Sequence, residues 1–215
     1  MRMRVVAAVA VALVLVGCST GRPGAAVVVD GTVISTSTVD EAAEVICQLS
    51  LAQQPGGSFP GDEVRGQAAA ELALALVAAD VAETEGIEIR ESDVRVADAD
   101  RRAIAQQFPD LDIDTVVEVL ETSTRVARVA EALGASAAGE EVTQENAQAL
   151  QQAGRAALVQ ALGEADAEFS PRFAIGDLAD VVQQPGSLAA YTGDDSEEGV
   201  ADQTAQPLLD TQTCS

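Results

Sequence analysis

The chain has 215 residues, with 12 basic side chains against 35 acidic ones and no histidine, for a formal charge of −23. Every basic residue is arginine, and without lysine or histidine the chain cannot build a Schiff base, a P-loop, a histidine-activated nucleophile or a histidine-ligated metal site, which leaves enzyme chemistry to carboxylates. A pI near 4.1 opposes nucleic-acid binding, and 41 alanines beside five aromatics (Phe59, Phe108, Phe169, Phe173 and Tyr191) point to helices packed closely through small side chains.

Arg2 and Arg4 precede an apolar run from Val5 to Val16 made of Ala, Val and Leu. This is the pattern of a secretory signal, too short to span a bilayer. The run ends in Leu15-Val16-Gly17-Cys18, which resembles the bacterial lipobox. That resemblance implies removal of residues 1–17 as a lipoprotein signal peptide and a diacylglycerol on the Cys18 thiol. It also implies an extracytoplasmic protein held to the cell membrane by lipid rather than by a helix. The alternatives are a signal peptide cut elsewhere or a short anchor. Residues 18–24 form a small-residue, lipidated tether.

Ala25 to Ile34 reads as a β-branched strand bent at Asp30-Gly31. Thr38 and Glu41 have the spacing of a capping box, opening a helix with Val39, Ala42, Val45, Ile46 and Leu49 on its apolar face. Pro55, Gly56, Gly57, Pro60 and Gly61 break the chain into a loop. A second helix over residues 62–85 is apolar on nearly every face from Ala68 to Ala79, the mark of a buried central helix, and Gly86 ends it. After an extended Ile87-Glu88-Ile89, Ser92 is expected to cap a third helix carrying Val94, Ala97, Ile104 and Phe108, stopped by Pro109.

Thr115 and Glu118 form a second capping box, opening a helix to Leu133 that Gly134 closes. A further helix, over residues 145–162, keeps Leu150, Leu158 and Leu162 among Ala and Gln. Residues 167–175 alternate as a second strand, with Pro171 tolerated at an edge or bulge. From residue 191 to residue 215 the chain reads as an acidic, largely flexible tail with weak hydrophobicity at Leu208-Leu209. The fold class expected is therefore mostly α, with the N-terminal and C-terminal strands paired into a small two-stranded sheet on a helical body over residues 25–190.

The residues Val27-Val28-Val29-Asp30-Gly31-Thr32-Val33-Ile34, with Thr38 to Glu41 after them, resemble the opening of the N-terminal chaperone domain of SurA-type and PrsA-type foldases. Glu85-Gly86-Ile87 through Ser92-Asp93-Val94 is similar to the segment where a long helix ends and the next is capped. Ser170-Pro171-Arg172-Phe173 with Gly186-Ser187-Leu188 is similar to the return strand of extracytoplasmic relatives. The resemblance spans most of residues 25–190. It implies holding or folding of secreted polypeptides. The chain departs from these foldases in having neither room for a parvulin module nor the histidine its active site uses, so prolyl isomerisation is not implied.

With Cys18 committed to lipid, Cys47 and Cys214 remain, and an oxidising compartment favours a disulfide between them; two free thiols are the alternative. Asp110, Asp112, Asp114 and Glu121 match part of an EF-hand spacing, but Thr115 stands where the loop needs glycine. The competing reading is acids placed at a helix N-terminus. Asp98, Asp100, Asp194 and Asp195 read as solvated acids. Phe59, Phe108, Phe169, Phe173, Leu208 and Leu209 could supply client-binding surface, although scarce aromatics usually belong to cores. The expectation is thus a lipid-anchored holdase for non-native secreted chains, without cofactor, metal or catalytic residues. The runner-up is an adaptor lipoprotein docking one envelope protein, and a carboxylate hydrolase comes third.

Overall fold

A computed structural model of the chain describes residues 22–173 and 213–214. The expected signal peptide and Cys18 lie outside the described residues, as do Tyr191, Asp194, Asp195, Leu208 and Leu209.

The N-terminal valines form two strands, not one bent strand. Strand β1 (Ala25–Val29) turns back through Asp30 and Gly31 into β2 (Thr32–Ser35). Both turn residues have positive φ, 47° at Asp30 and 81° at Gly31, as a two-residue hairpin turn requires. Strand β4 (Ala167–Phe169) joins β1 on its other side, so the expected pairing of distant strands forms within an antiparallel sheet of three strands, in the order β2-β1-β4. Val27 lies opposite Phe169 and Val29 opposite Ala167. Asp30 and Asp166 seal the junction. Asp30 N donates to the Asp166 carbonyl at 3.1 Å, and Asp166 N donates to the Asp30 carboxylate at 3.1 Å.

Helix α1 (Thr36–Gln53) starts earlier than the Thr38–Glu41 spacing suggested. Its cap is Ser35, whose Oγ accepts from Thr38 N at 3.1 Å. The hairpin leaves Ser35 extended, with its hydroxyl over the first turn, and so places Thr38 inside the helix. Val39, Ala42, Ala43, Val45 and Ile46 are buried beneath the sheet and the next helix. A two-residue strand β3 (Phe59–Pro60) leads into α2 (Gly61–Glu85), ended by Gly86 in the left-handed conformation. This is the central helix expected: Ala68, Ala69, Ala73 and Leu74 are sealed from solvent, and it touches α1, the sheet and both later long helices.

Ser92 caps no α-helix; it lies in a short 3-10 turn, Glu91–Asp93. Helix α3 (Asp98–Gln107) starts later, buries no residue and packs against the following helix. That helix, α4 (Ile113–Ala138), is capped by Asp112, whose carboxylate accepts from Thr115 N at 2.9 Å, and not by Thr115.

Gly134 does not close α4. The helix runs on to Ala138 and ends at Gly139, while Gly134 is buried where α5 (Ala147–Glu164) crosses. A Cβ on Gly134 would stand 1.9 Å from the Leu150 carbonyl oxygen, and one on Gly154 would stand 1.8 Å from that of Ala130. The two backbones therefore touch directly, through Ala130-x-x-x-Gly134 on one helix and Leu150-x-x-x-Gly154 on the other. Leu150, Leu158 and Leu162 are buried as expected.

Thr213 and Cys214 form β5, antiparallel to β3, with Cys214 opposite Phe59. The end of the expected flexible tail is thus part of the folded body, and Cys214 belongs to the core cluster. Cys47 and Cys214 are disulfide-bonded with Cα atoms 5.8 Å apart, closing a separation of 167 residues.

Candidate functional site

The two longest helices, α2 and α4, meet along faces of small side chains, and small side chains leave space. Two adjoining depressions run along their junction and share Thr122 and Val126. The first is small and lies near Ile46, Glu71, Leu72 and Val119. The second, of about 330 Å³, has a floor of Ala75, Ala78, Ala79 and Ala82 from α2, with Val126 and Val129 from α4. Ile87 and Ile89, on the extended link after α2, wall its end. Together they form an apolar trough that the described residues leave open.

The charge around this trough is uneven. Glu83 is exposed on its α2 wall and is not paired with an arginine among the described residues. Arg125, the basic residue lining it, is held by Glu91 at 2.9 Å. Glu83 therefore stands as an uncompensated acid at the edge of an aliphatic floor.

At the inner end of the trough Glu71 of α2 pairs with Arg155 of α5. Both side chains are more than four-fifths covered. Burial raises the Glu71 carboxyl above its usual range, and the Arg155 charge and hydrogen bond work against that rise. A carboxylate inside an alanine-lined contact is costly unless paired, and the pair ties the central helix to the α4–α5 hairpin.

Three of the four acids singled out by spacing have structural tasks, and Asp110 is exposed. Asp112 caps α4, and the Thr115 amide holds its carboxyl below the ordinary value. Asp114 pairs with Arg101 of α3, and Glu121 accepts from Val96 N at 3.0 Å, fixing the segment before α3. Asp98 and Asp100 are exposed in the first turn of α3. Among the described residues, no group of three or more Cys, Asp or Glu is placed to hold a metal ion. No helix among them is long and apolar enough to cross a membrane.

Of the aromatic residues, Phe173 is buried in the core, and Phe59 and Phe169 are half-buried against it. Phe108 is half-buried at the end of α3. These residues do not converge on one surface. A shallow apolar surface between helices was expected, but the residues of the trough were not named from the sequence, although its elements were visible there: an alanine-rich helix ending in Gly86 and an isoleucine-bearing link. What was missing was the helix that faces them. No family model, no curated protein and no solved structure matches the chain.

Proposed function

We propose that this chain is a lipid-anchored, extracytoplasmic holdase of the SurA/PrsA N-terminal type, without prolyl isomerase activity or catalytic residues of its own. It is tethered through Cys18 and takes apolar segments of non-native secreted polypeptides into the trough between α2 and α4. The observation that supports this reading is the trough itself. It is shallow, aliphatic and open, and so suited to brief contact with many sequences rather than to one shaped ligand. The acidic exterior would keep such a surface soluble while it is exposed.

The test is aggregation of two unrelated unfolded proteins in the presence of the chain beginning at Ser19, with its disulfide intact and salt varied. Suppression of both that persists in salt supports the holdase, because apolar contact is not screened. Failure to suppress either removes it and leaves the adaptor reading, in which one folded envelope protein is retained in a pull-down.

A further inference from the structure

We infer that the depression where the tether enters the folded body is a phospholipid-contact surface, in which Arg22 and Arg172 hold the phosphate of an anionic headgroup; this rests on the lipid-anchored reading above and deepens it.

Both arginines are placed by turns. Ala25 N donates to the Arg22 carbonyl at 3.0 Å, and the Gly24 carbonyl accepts from Thr36 N at 2.8 Å at the start of α1. Phe173 N donates to the Ser170 carbonyl at 3.0 Å, which sets Arg172 inside a second turn anchored by the buried Phe173. Ser170 N donates to the Ala26 carbonyl at 2.8 Å and holds the two turns side by side. Arg22 and Arg172 then line one depression of about 690 Å³, within the range of small-ligand sites. Thr36 and Ser170 bring hydroxyls to the same lining, and Pro23, Val28 and Phe169 bring apolar surface. A phosphate and its glycerol each meet matching chemistry there.

Charge sets this depression apart. Of the ten described arginines, six are paired with carboxylates. Arg22, Arg95, Arg102 and Arg172 are not so paired among the described residues, and two of these four line the depression against one acid, Glu168. Arg22 donates to the Gly31 carbonyl at 3.3 Å, a neutral partner that leaves its charge uncompensated. In a chain of formal charge −23, a lining with surplus positive charge is a face that an anionic surface tolerates. Position agrees with charge. Cys18 stands four residues before Arg22, at most about 14 Å of extended chain, so a lipid on Cys18 keeps Arg22 beside the headgroups. Acids on the far side of the body are screened beyond about 8 Å at physiological salt.

The probe is a short-chain, water-soluble phosphatidylglycerol, compared with the matching phosphatidylcholine and with inorganic phosphate. Binding to the chain from Ser19 onward, which carries no lipid, is read by NMR from the arginine Nε–H signals. Phosphatidylglycerol is expected to shift Arg22 and Arg172 and to bind at least about tenfold more tightly than either comparison. Both side chains are exposed, so Arg22→Gln and Arg172→Gln should each weaken it about fivefold with an unchanged thermal midpoint. Arg95→Gln removes an exposed, unpaired arginine before α3 and should change nothing. Glu168→Gln should tighten binding severalfold.

No shift at either arginine, equal binding of the two phospholipids, or an Arg95→Gln loss as large as that of Arg172→Gln would each overturn the inference. Inorganic phosphate binding as tightly as phosphatidylglycerol would make this a free-anion site, and an acidic peptide binding there more tightly would make it a protein contact; either result overturns the lipid assignment. Lipidation of Cys18 is read separately, from the mass of the chain recovered from bacterial membranes. A lipidated chain whose arginines ignore phosphatidylglycerol keeps the anchor and removes the site, whereas headgroup binding by a chain without the lipid keeps the site and removes the anchor.

Discussion

The glycine contact between α4 and α5 makes opposite predictions for two glycines on one helix. Gly154 is buried against α4, and an added Cβ would lie 1.8 Å from the Ala130 carbonyl oxygen and 2.9 Å from the Gly134 nitrogen. All of these neighbours are backbone, so no side-chain rotation relieves the clash. Cβ atoms essentially never come within 3.0 Å of a neighbour, so the helices must part by about 1.2 Å at the crossing. Parting loosens Leu150, Leu158 and Leu162 from their partners, which adds lost packing to the strain. Overpacking alone costs about 1–3 kcal/mol, and a backbone clash belongs at the top of that range. Near 3 kcal/mol, the thermal midpoint of a chain this size falls by about 6–12 °C. Gly163, nine residues on in α5, has nothing within 4 Å of its would-be Cβ. Gly163→Ala should therefore stabilise slightly, by about 0.5 kcal/mol, through helix propensity. Thermal unfolding followed by circular dichroism compares the two variants directly. If Gly154→Ala melts with Gly163→Ala, the close crossing is wrong.

Two further expectations concern bonds within the body. The Cys47–Cys214 bridge spans 167 residues, a loop for which the chain-entropy relation gives about 5 kcal/mol before strain. Reduction, or Cys47→Ala with Cys214→Ala, should lower the midpoint by roughly 10 °C or more, and a midpoint unmoved by reductant would rule the bridge out as a stabilising element. The Glu71 carboxyl is raised above 4.5 in the fold, so the native state holds its proton more tightly than the unfolded chain does. Its contribution is fully present below pH 4.5 and declines as pH rises through the native value, the reverse of Asp93 and Asp112. The carboxyls of these two are lowered from 3.8, and their contribution is lost as pH falls below that. Urea unfolding of wild type and Glu71→Gln between pH 4 and 7 should show the declining component only in wild type, and parallel curves would contradict the assignment.

Much of this protein is local, and what is local was legible. The alanine-rich run from Ala68 to Ala79 has no polar face to turn outward, so it had to be a buried helix. Gly86 ends it because only a residue free to take positive φ stops a helix there without strain. The pairing of distant strands followed from unsatisfied backbone edges, and the disulfide from the cysteine count. Caps were harder, because Ser35 and Thr38 both carry hydroxyls and only the end of the hairpin decides which one sits over the first turn. The same limit misplaced the cap of α4 at Thr115 instead of Asp112.

Tertiary packing decided the rest. A glycine in a sequence signals either a stop or a close approach, and Gly134 could be told from Gly139 only by the arrival of Leu150 against it. A single bent strand became a hairpin because β4 occupies only one side of β1, leaving the other to be paired by the chain's own return. Cys214, in a polar neighbourhood and 167 residues from Cys47, became core only once α1 and β3 stood beside it. The trough is the same kind of feature. Its floor, wall and rim come from α2, the link and α4, and no one of these segments carries a cavity until the others are in place.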